Sequence, residues 1–244
     1  MTRKDGAEQG GGATDAQGPD ATVEVVGAMD PERARQESTD PVGMTARLTR
    51  ALQNRDVQEQ QEASKVLREF ARVEGNEHAV VMAGAVPALV RVLQGADPGS
   101  GAAELAASAL ANIAATCAWN ANKGAVVVAA GAVPALVRVL QGADPGSGAA
   151  AEAAAALANI SFGSDARKDA VVESGALPLL VRMLQGGDPG SGAAEQAACA
   201  LRNIAYQSDA HRDAVVAAGA LPLLVRVLQW ADPGSNNFPL PRVD

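Results

Sequence analysis

"SGALPLLVRMLQGGDPGSG", Ser174 to Gly192, occurs three more times in nearly the same words. "AGAVPALVRVLQGADPGSG" runs from Ala83 to Gly101 and again from Ala130 to Gly148, and "AGALPLLVRVLQWADPGS" from Ala218 to Ser235. Gly84, Gly131, Gly175 and Gly219 each open a GAVP or GALP start, and their separations are 47, 44 and 44 residues. A period of about 40–47 residues with two or three helices per unit is the mark of a solenoid, in which each unit leaves an apolar face for its neighbour to cover.

Each phrase resolves into helices. Pro87, Pro134, Pro178 and Pro222 suit a first helical turn, where a preset φ helps and a missing N–H costs nothing. Leu89, Val90 and Leu93 follow on one face. Gly95, Gly142 and Gly186 read as helix-ending residues in a positive-φ conformation. The DPGSG turn leads to an Ala-rich helix, capped by Asp97 or, better, by Ser100. A short helix such as "DARKDAVVES" then returns the chain to the next glycine. Each unit therefore holds three helices.

Composition agrees. Only 2% of the 244 residues are aromatic, so the core must be Ala, Val and Leu. The net charge is −8. Residues 1–41 hold four Lys/Arg and nine Asp/Glu, a net of −5, and the remainder a net of −3. Neither part has the basic stripe that a nucleic acid requires. Residues 1–41 carry few large apolar side chains and read as a disordered acidic tail. Met44, Leu48 and Leu52, then Val66, Leu67, Phe70 and Val73, mark two helices of a partial unit. The expected organisation is tail 1–41, repeats 42–230 and tail 231–244. Within the repeats, 42–73 is the partial unit, three full units lie near 74–117, 118–163 and 164–207, and 208–230 is incomplete.

Cys117 and Cys199 are the only cysteines. Two lone thiols form no disulfide framework, which points to a reducing compartment, cytoplasm or nucleus. Thr2 follows Met1, where lipid attachment would need a glycine. With no signal peptide and no membrane-length apolar run either, no membrane anchor is expected. His78 and His211 fall in different units without clustered ligands, so no metal and no cofactor are expected. No phosphate loop or catalytic constellation is found, and an enzyme is not expected. Cys199 reads as a small packed residue. The column Arg91, Arg138, Arg182 and Arg226 reads as a solvated face.

With "GALPLLVRMLQ", an Ala-rich helix ending in "ALRNIA", and "SDAHRDAVVAAGALP", the chain resembles the armadillo repeat family over roughly Val42 to Gln229. That resemblance implies an all-α, right-handed solenoid of about four three-helix repeats, counted from the short helix. It implies a concave groove lined by the third helices, where Asn side chains hold the backbone of an extended peptide. The matching residues are Asn112, Asn159 and Asn203; the first unit has Glu69 there. The residues themselves agree: keeping Asn in an Ala-rich helix costs about 0.5 kcal/mol, and its amide offers a donor and an acceptor. Helices about 8–10 Å apart and a strand advancing about 3.3 Å per residue allow one Asn per two or three peptide residues. A bond to the adjacent helix, a cap on its own last turn, or a copy without use are the competing readings.

Import adaptors in the family carry Trp four residues before the Asn and a basic N-terminus. Here those places hold Ser108, Ala155 and Cys199, and the N-terminus is acidic, which argues against that role. A chromophore lyase of the HEAT type would need a placed acid and a pocket, and neither is evident. Glu104 and Glu195, two turns before their Asn residues, could attract basic side chains. The expected function is a protein-binding scaffold with an extended protein or peptide partner. The last unit lacks its third helix, and Trp230 replaces the glycine of the other units. A sticky end that self-associates is expected, against a lid made by Trp230 and Phe238.

Overall fold

The computed structural model describes residues 40–73, 75–117 and 121–231. Among these residues there are thirteen helices and no strand, and the architecture is an α-solenoid. A two-helix unit, α1 (Pro41–Gln53) and α2 (Val57–Phe70), comes first. Three full units follow: α3 (Glu77–Met82), α4 (Ala85–Gly95) and α5 (Gly101–Cys117); α6 (Ala121–Ala129), α7 (Ala132–Gly142) and α8 (Gly148–Ser161); α9 (Asp165–Glu173), α10 (Ala176–Gly186) and α11 (Gly192–Ala205). α12 (Asp209–Ala217) and α13 (Ala220–Ala231) close the series. The readings placed on residues 1–39, on Phe238 and on the Cys117 side chain lie outside what is described. Asp40 and Pro41, within the stretch read as tail, open α1: the Asp40 carboxylate accepts from Gly43 N at 2.9 Å.

Helices of one kind stack on their own kind. α2, α5, α8 and α11 pack in one layer, and α1, α4, α7, α10 and α13 in another. Ala fills the first layer: Ala106, Ala107, Ala153, Ala154, Ala197 and Ala200 are fully buried. Small side chains let these helix backbones approach closely, and the Leu and Val of the second layer fill the space behind them. Leu89, Leu136 and Leu180 are fully buried there, at one position of each unit. No single described helix is long and apolar enough to cross a membrane.

The bend between short and second helix explains the recurring glycine. Gly84, Gly131, Gly175 and Gly219 have φ of +73 to +81°. Each ends one helix and starts the next, and α12 and α13 meet at 85°. A Cβ at these four positions would meet nothing within 4 Å, so backbone conformation alone requires glycine.

Gly95, Gly142 and Gly186 differ from expectation. They are the last residues of α4, α7 and α10 and do not have positive φ. At Gly142 the reason is packing. A Cβ on Gly142 would lie 2.6 Å from Pro98 Cγ, in the turn of the preceding unit. A Cβ on Gly186 would touch Pro145 at 3.7 Å. Gly95 has no proline-bearing turn before it, and its space is open. Trp230 follows the same logic. α13 runs through it without a left-handed residue, and its indole ring lies against Gly190 in the preceding turn. It still leaves 57% of its surface exposed.

The DPGSG turns are built as read, with the later cap. Asp97, Asp144 and Asp188 each accept from the amide two residues on, at 3.1, 2.9 and 3.0 Å. Ser100, Ser147 and Ser191 cap the third helices through the amides of Ala103, Ala150 and Ala194.

The two kinds of glycine should respond differently to alanine. Gly175→Ala forces a left-handed alanine and should lower stability by roughly 1–2 kcal/mol. Gly95→Ala, in helical backbone with open space, should be neutral or stabilising by up to about 0.5–1 kcal/mol. Urea unfolding of the two variants beside the parent measures both.

Candidate functional site

The three asparagines form a ladder along the third-helix layer. Asn112 Nδ2 donates to Arg68 O of α2, Asn159 Nδ2 to Ala111 O of α5, and Asn203 Nδ2 to Ala158 O of α8, each at 2.9 Å. Each bond reaches the carbonyl of the residue before the equivalent rung of the unit behind. A carbonyl only accepts, so the amide nitrogen is the end that must face it. Bonding to the adjacent helix is therefore a real role of this column. The remaining end of each amide is the oxygen. For Asn112 and Asn159, both half-buried, it accepts from no described residue; for Asn203 it accepts from Arg202 Nε and Nη2 at 3.3 and 3.1 Å.

The side chains around the ladder are small. Ser108 is buried, and Ala155 and Cys199 are half-buried against the core. Cys199 is a free thiol, 3.6 Å from the Arg202 guanidinium. Glu69, at the place of the first rung, is buried and pairs with Arg68 Nε at 3.1 Å. Glu104 and Glu195 are exposed, yet they are not equivalent. The Glu104 carboxylate lies over the first residue of α8: a Cβ on Gly148 would be 2.6 Å from it. A negative charge is favourable at that helix end. Ala151 stands at the matching place in the next unit, and nothing lies within 4 Å of a Cβ at Gly192.

The arginine column is not a solvated face. Arg138 Nη1 donates to Leu93 O at 2.6 Å and Ala96 O at 3.0 Å. Arg182 Nη2 bonds Leu140 O, and Arg226 Nη2 bonds Leu184 O. Each arginine thus closes the carbonyl end of the second helix one unit back, where the last carbonyls lack helical partners and a cation is favoured. The available sequence signal was the recurrence of an arginine at the same place in every copy, seven residues after the opening glycine. Arg91 is the exception, exposed and without such a bond.

The short helices carry ties as well, Lys168 within its own unit and His211 to the unit before. Lys168, buried on α9, donates to Tyr206 O at 2.5 Å and pairs with Asp165 at 3.0 Å. His211 is buried on α12 with Nε2 2.9 Å from Asp169 Oδ1, while His78 is exposed. Among the described residues no group of His, Cys, Asp or Glu gathers as metal ligands.

Comparison with known proteins agrees with this geometry. The family model "Armadillo/beta-catenin-like repeat" matches residues 74–115, 120–162 and 164–206. An engineered protein of known crystal structure is 32% identical with a TM-score of 0.70, over 85% of this chain and 89% of that one. A computationally designed armadillo repeat protein for modular peptide recognition is 26% identical with a TM-score of 0.69, over 84% and 82% of the two chains. A designed armadillo repeat protein in complex with the peptide (KR)4 shares the fold, with a TM-score of 0.69 at 24% identity over 89% and 92%. No curated protein matches the chain.

The cross-unit bonds should be measurable one at a time. Arg182→Ala strands carbonyls at the end of α7 and should cost about 1–3 kcal/mol. Asn159→Ala should cost about 1 kcal/mol. Arg91→Ala, which removes no bond, should stay within about 0.5 kcal/mol of the parent. Thermal melts of the three variants decide the order.

Proposed function

The chain belongs to the armadillo/beta-catenin-like repeat family, and on that footing we propose that it is a protein-binding scaffold whose third-helix layer holds an extended peptide. The observation that carries this reading is the ladder of Asn112, Asn159 and Asn203 at one register on three stacked helices. Its donors hold the layer together, and the oxygens of Asn112 and Asn159 remain for a peptide N–H. Ser108, Ala155 and Cys199 are small, which suits close approach of a backbone rather than stacking on a side chain. Two designed relatives supply the precedent, one described as made for modular peptide recognition and one as bound to (KR)4. The free thiol of Cys199 fits a reducing compartment, cytoplasm or nucleus.

Selection from a displayed random-peptide library tests the reading. The enriched peptides should bind the triple variant Asn112→Ala/Asn159→Ala/Asn203→Ala at least about tenfold more weakly. The comparison belongs at low temperature, with folding of the variant checked by circular dichroism, because the same substitutions remove three bonds between helices. Equal affinity for a folded triple variant would place the peptide elsewhere.

A second reading concerns the C-terminal end. Leu221, Leu228 and Trp230 of α13 and Val216 of α12 are exposed, which supports self-association through this face. Sedimentation should show mass rising with concentration, and Leu228→Glu should suppress the rise. A constant monomer mass at high concentration would exclude it.

A further inference from the structure

The first joint of the solenoid is built differently from the others. Second and third helices of the full units are joined by five residues, 96–100 and 143–147, and the proline in each turn packs toward the helix end of the next unit. α1 and α2 are joined by only three, Asn54 to Asp56, with no proline. The space that Pro98 fills against Gly142 is therefore empty beside Gly95. In its place is a pocket of about 500 Å³ between the α1–α2 turn and the end of α4.

The groups around this pocket are unbalanced toward donors. At the other joints an arginine closes the helix end behind it. Here Gln60, from α2, takes that position: its Nε2 donates to Asn54 O at 2.6 Å and Leu52 O at 3.4 Å. Arg91 is displaced from the task its counterparts perform and lines the pocket with an exposed guanidinium that bonds nothing described. Arg55 lines it too, and its side chain is likewise without a partner. On the other wall the Leu93 and Ala96 carbonyls of α4 are occupied by Arg138. The carbonyls of Leu52, Asn54, Leu93 and Ala96 are thus engaged, while the two guanidiniums bond nothing described. The N-terminus of α5 also borders the space, through Ser100, and favours negative charge, whereas that of α2, at Val57, is already capped by the Asp56 carboxylate, which accepts from Gln58 N at 2.8 Å.

We infer that this pocket is a recognition site for a single carboxylate, an Asp or Glu side chain of a bound peptide. The charge of the lining selects that class. Arg55 and Arg91 stand against one acid, Asp97, whose Oδ1 is engaged by Gly99 N at 3.1 Å. The net formal charge of +1 matches one carboxylate rather than a phosphate ester, which carries about −1.5 to −2. A carboxylate accepts bidentate bonds from guanidinium, and the amides of Gln53 and Gln61 are at hand for a second contact. The site does not depend on the asparagine ladder.

Fluorescence anisotropy with a labelled tetraglutamate peptide tests it on the full chain at low salt. Binding is expected for the parent and should fall at least about tenfold in Arg55→Ala/Arg91→Ala. Gly95→Leu should also reduce it, because it fills the pocket without removing charge. Arg212→Ala, an exposed arginine at the far end, should leave binding intact. Unchanged binding in the double variant, an equal loss in Arg212→Ala, or equal affinity for a tetralysine peptide overturns the site. Phosphoserine peptide or inorganic phosphate displacing the probe more strongly than free tetraglutamate overturns the choice of carboxylate. The asparagine triple variant should bind tetraglutamate normally, so failure of the groove reading leaves this result distinct.

Discussion

An α-helix ends with carbonyls that have no partner within the helix, and in this chain the neighbouring unit supplies the partner. Arg138, Arg182 and Arg226 each reach back one unit to close the second helix there. Asn112, Asn159 and Asn203 likewise reach back one unit, to a backbone carbonyl of the third-helix layer. A single unit would leave these groups in water and its Leu and Ala faces uncovered. Stacking satisfies both needs in one step, because the same translation that buries Ala against Ala brings each side chain to the helix behind it. The solenoid therefore rests on contacts between units more than on contacts within them.

The same dependence dictates where function can reside. Inside the array, the donors of the repeated polar residues are committed to the neighbour. What remains for a partner is the outward end of an amide, as on Asn112 and Asn159, or a place where the repetition breaks. The chain breaks it twice among the described residues. At the first joint a short turn and Gln60 release Arg91 and leave a pocket. At the last unit, Trp230 stands at the place of Gly142 and Gly186, and its indole lies against Gly190 in the preceding turn. An array built by near-verbatim copying gains specificity at such interruptions, since identical units present identical surfaces.

Several residues carry more information in the sequence than their type suggests. The left-handed glycines at 84, 131, 175 and 219 are legible because one local requirement, a bend between two helices, recurs at a fixed period. The serine caps at 100, 147 and 191 are legible for the same reason, as is the apolar spacing of Met44, Leu48 and Leu52. Gly142 is not. A glycine at a helix end ordinarily suggests positive φ, yet here Pro98 of another unit excludes a side chain. The arginine column is equally deceptive, because a charged residue at regular helical spacing looks the same whether it faces water or a carbonyl.

The sequence by itself determined the period, the three helices per unit, the turn and cap residues, and the register of the asparagine column. Those properties depend on neighbours a few residues apart and survive in any chain that folds locally. The tertiary structure decided which end of each asparagine faces inward, what the arginines hold, why Gly142 cannot be alanine without movement, and that Arg91 is left free. These rest on pairs 42 to 48 residues apart, such as Arg182 with Leu140 and Asn159 with Ala111. Such pairs meet only once stacking has set the distance and rotation between units, a geometry that no local spacing encodes.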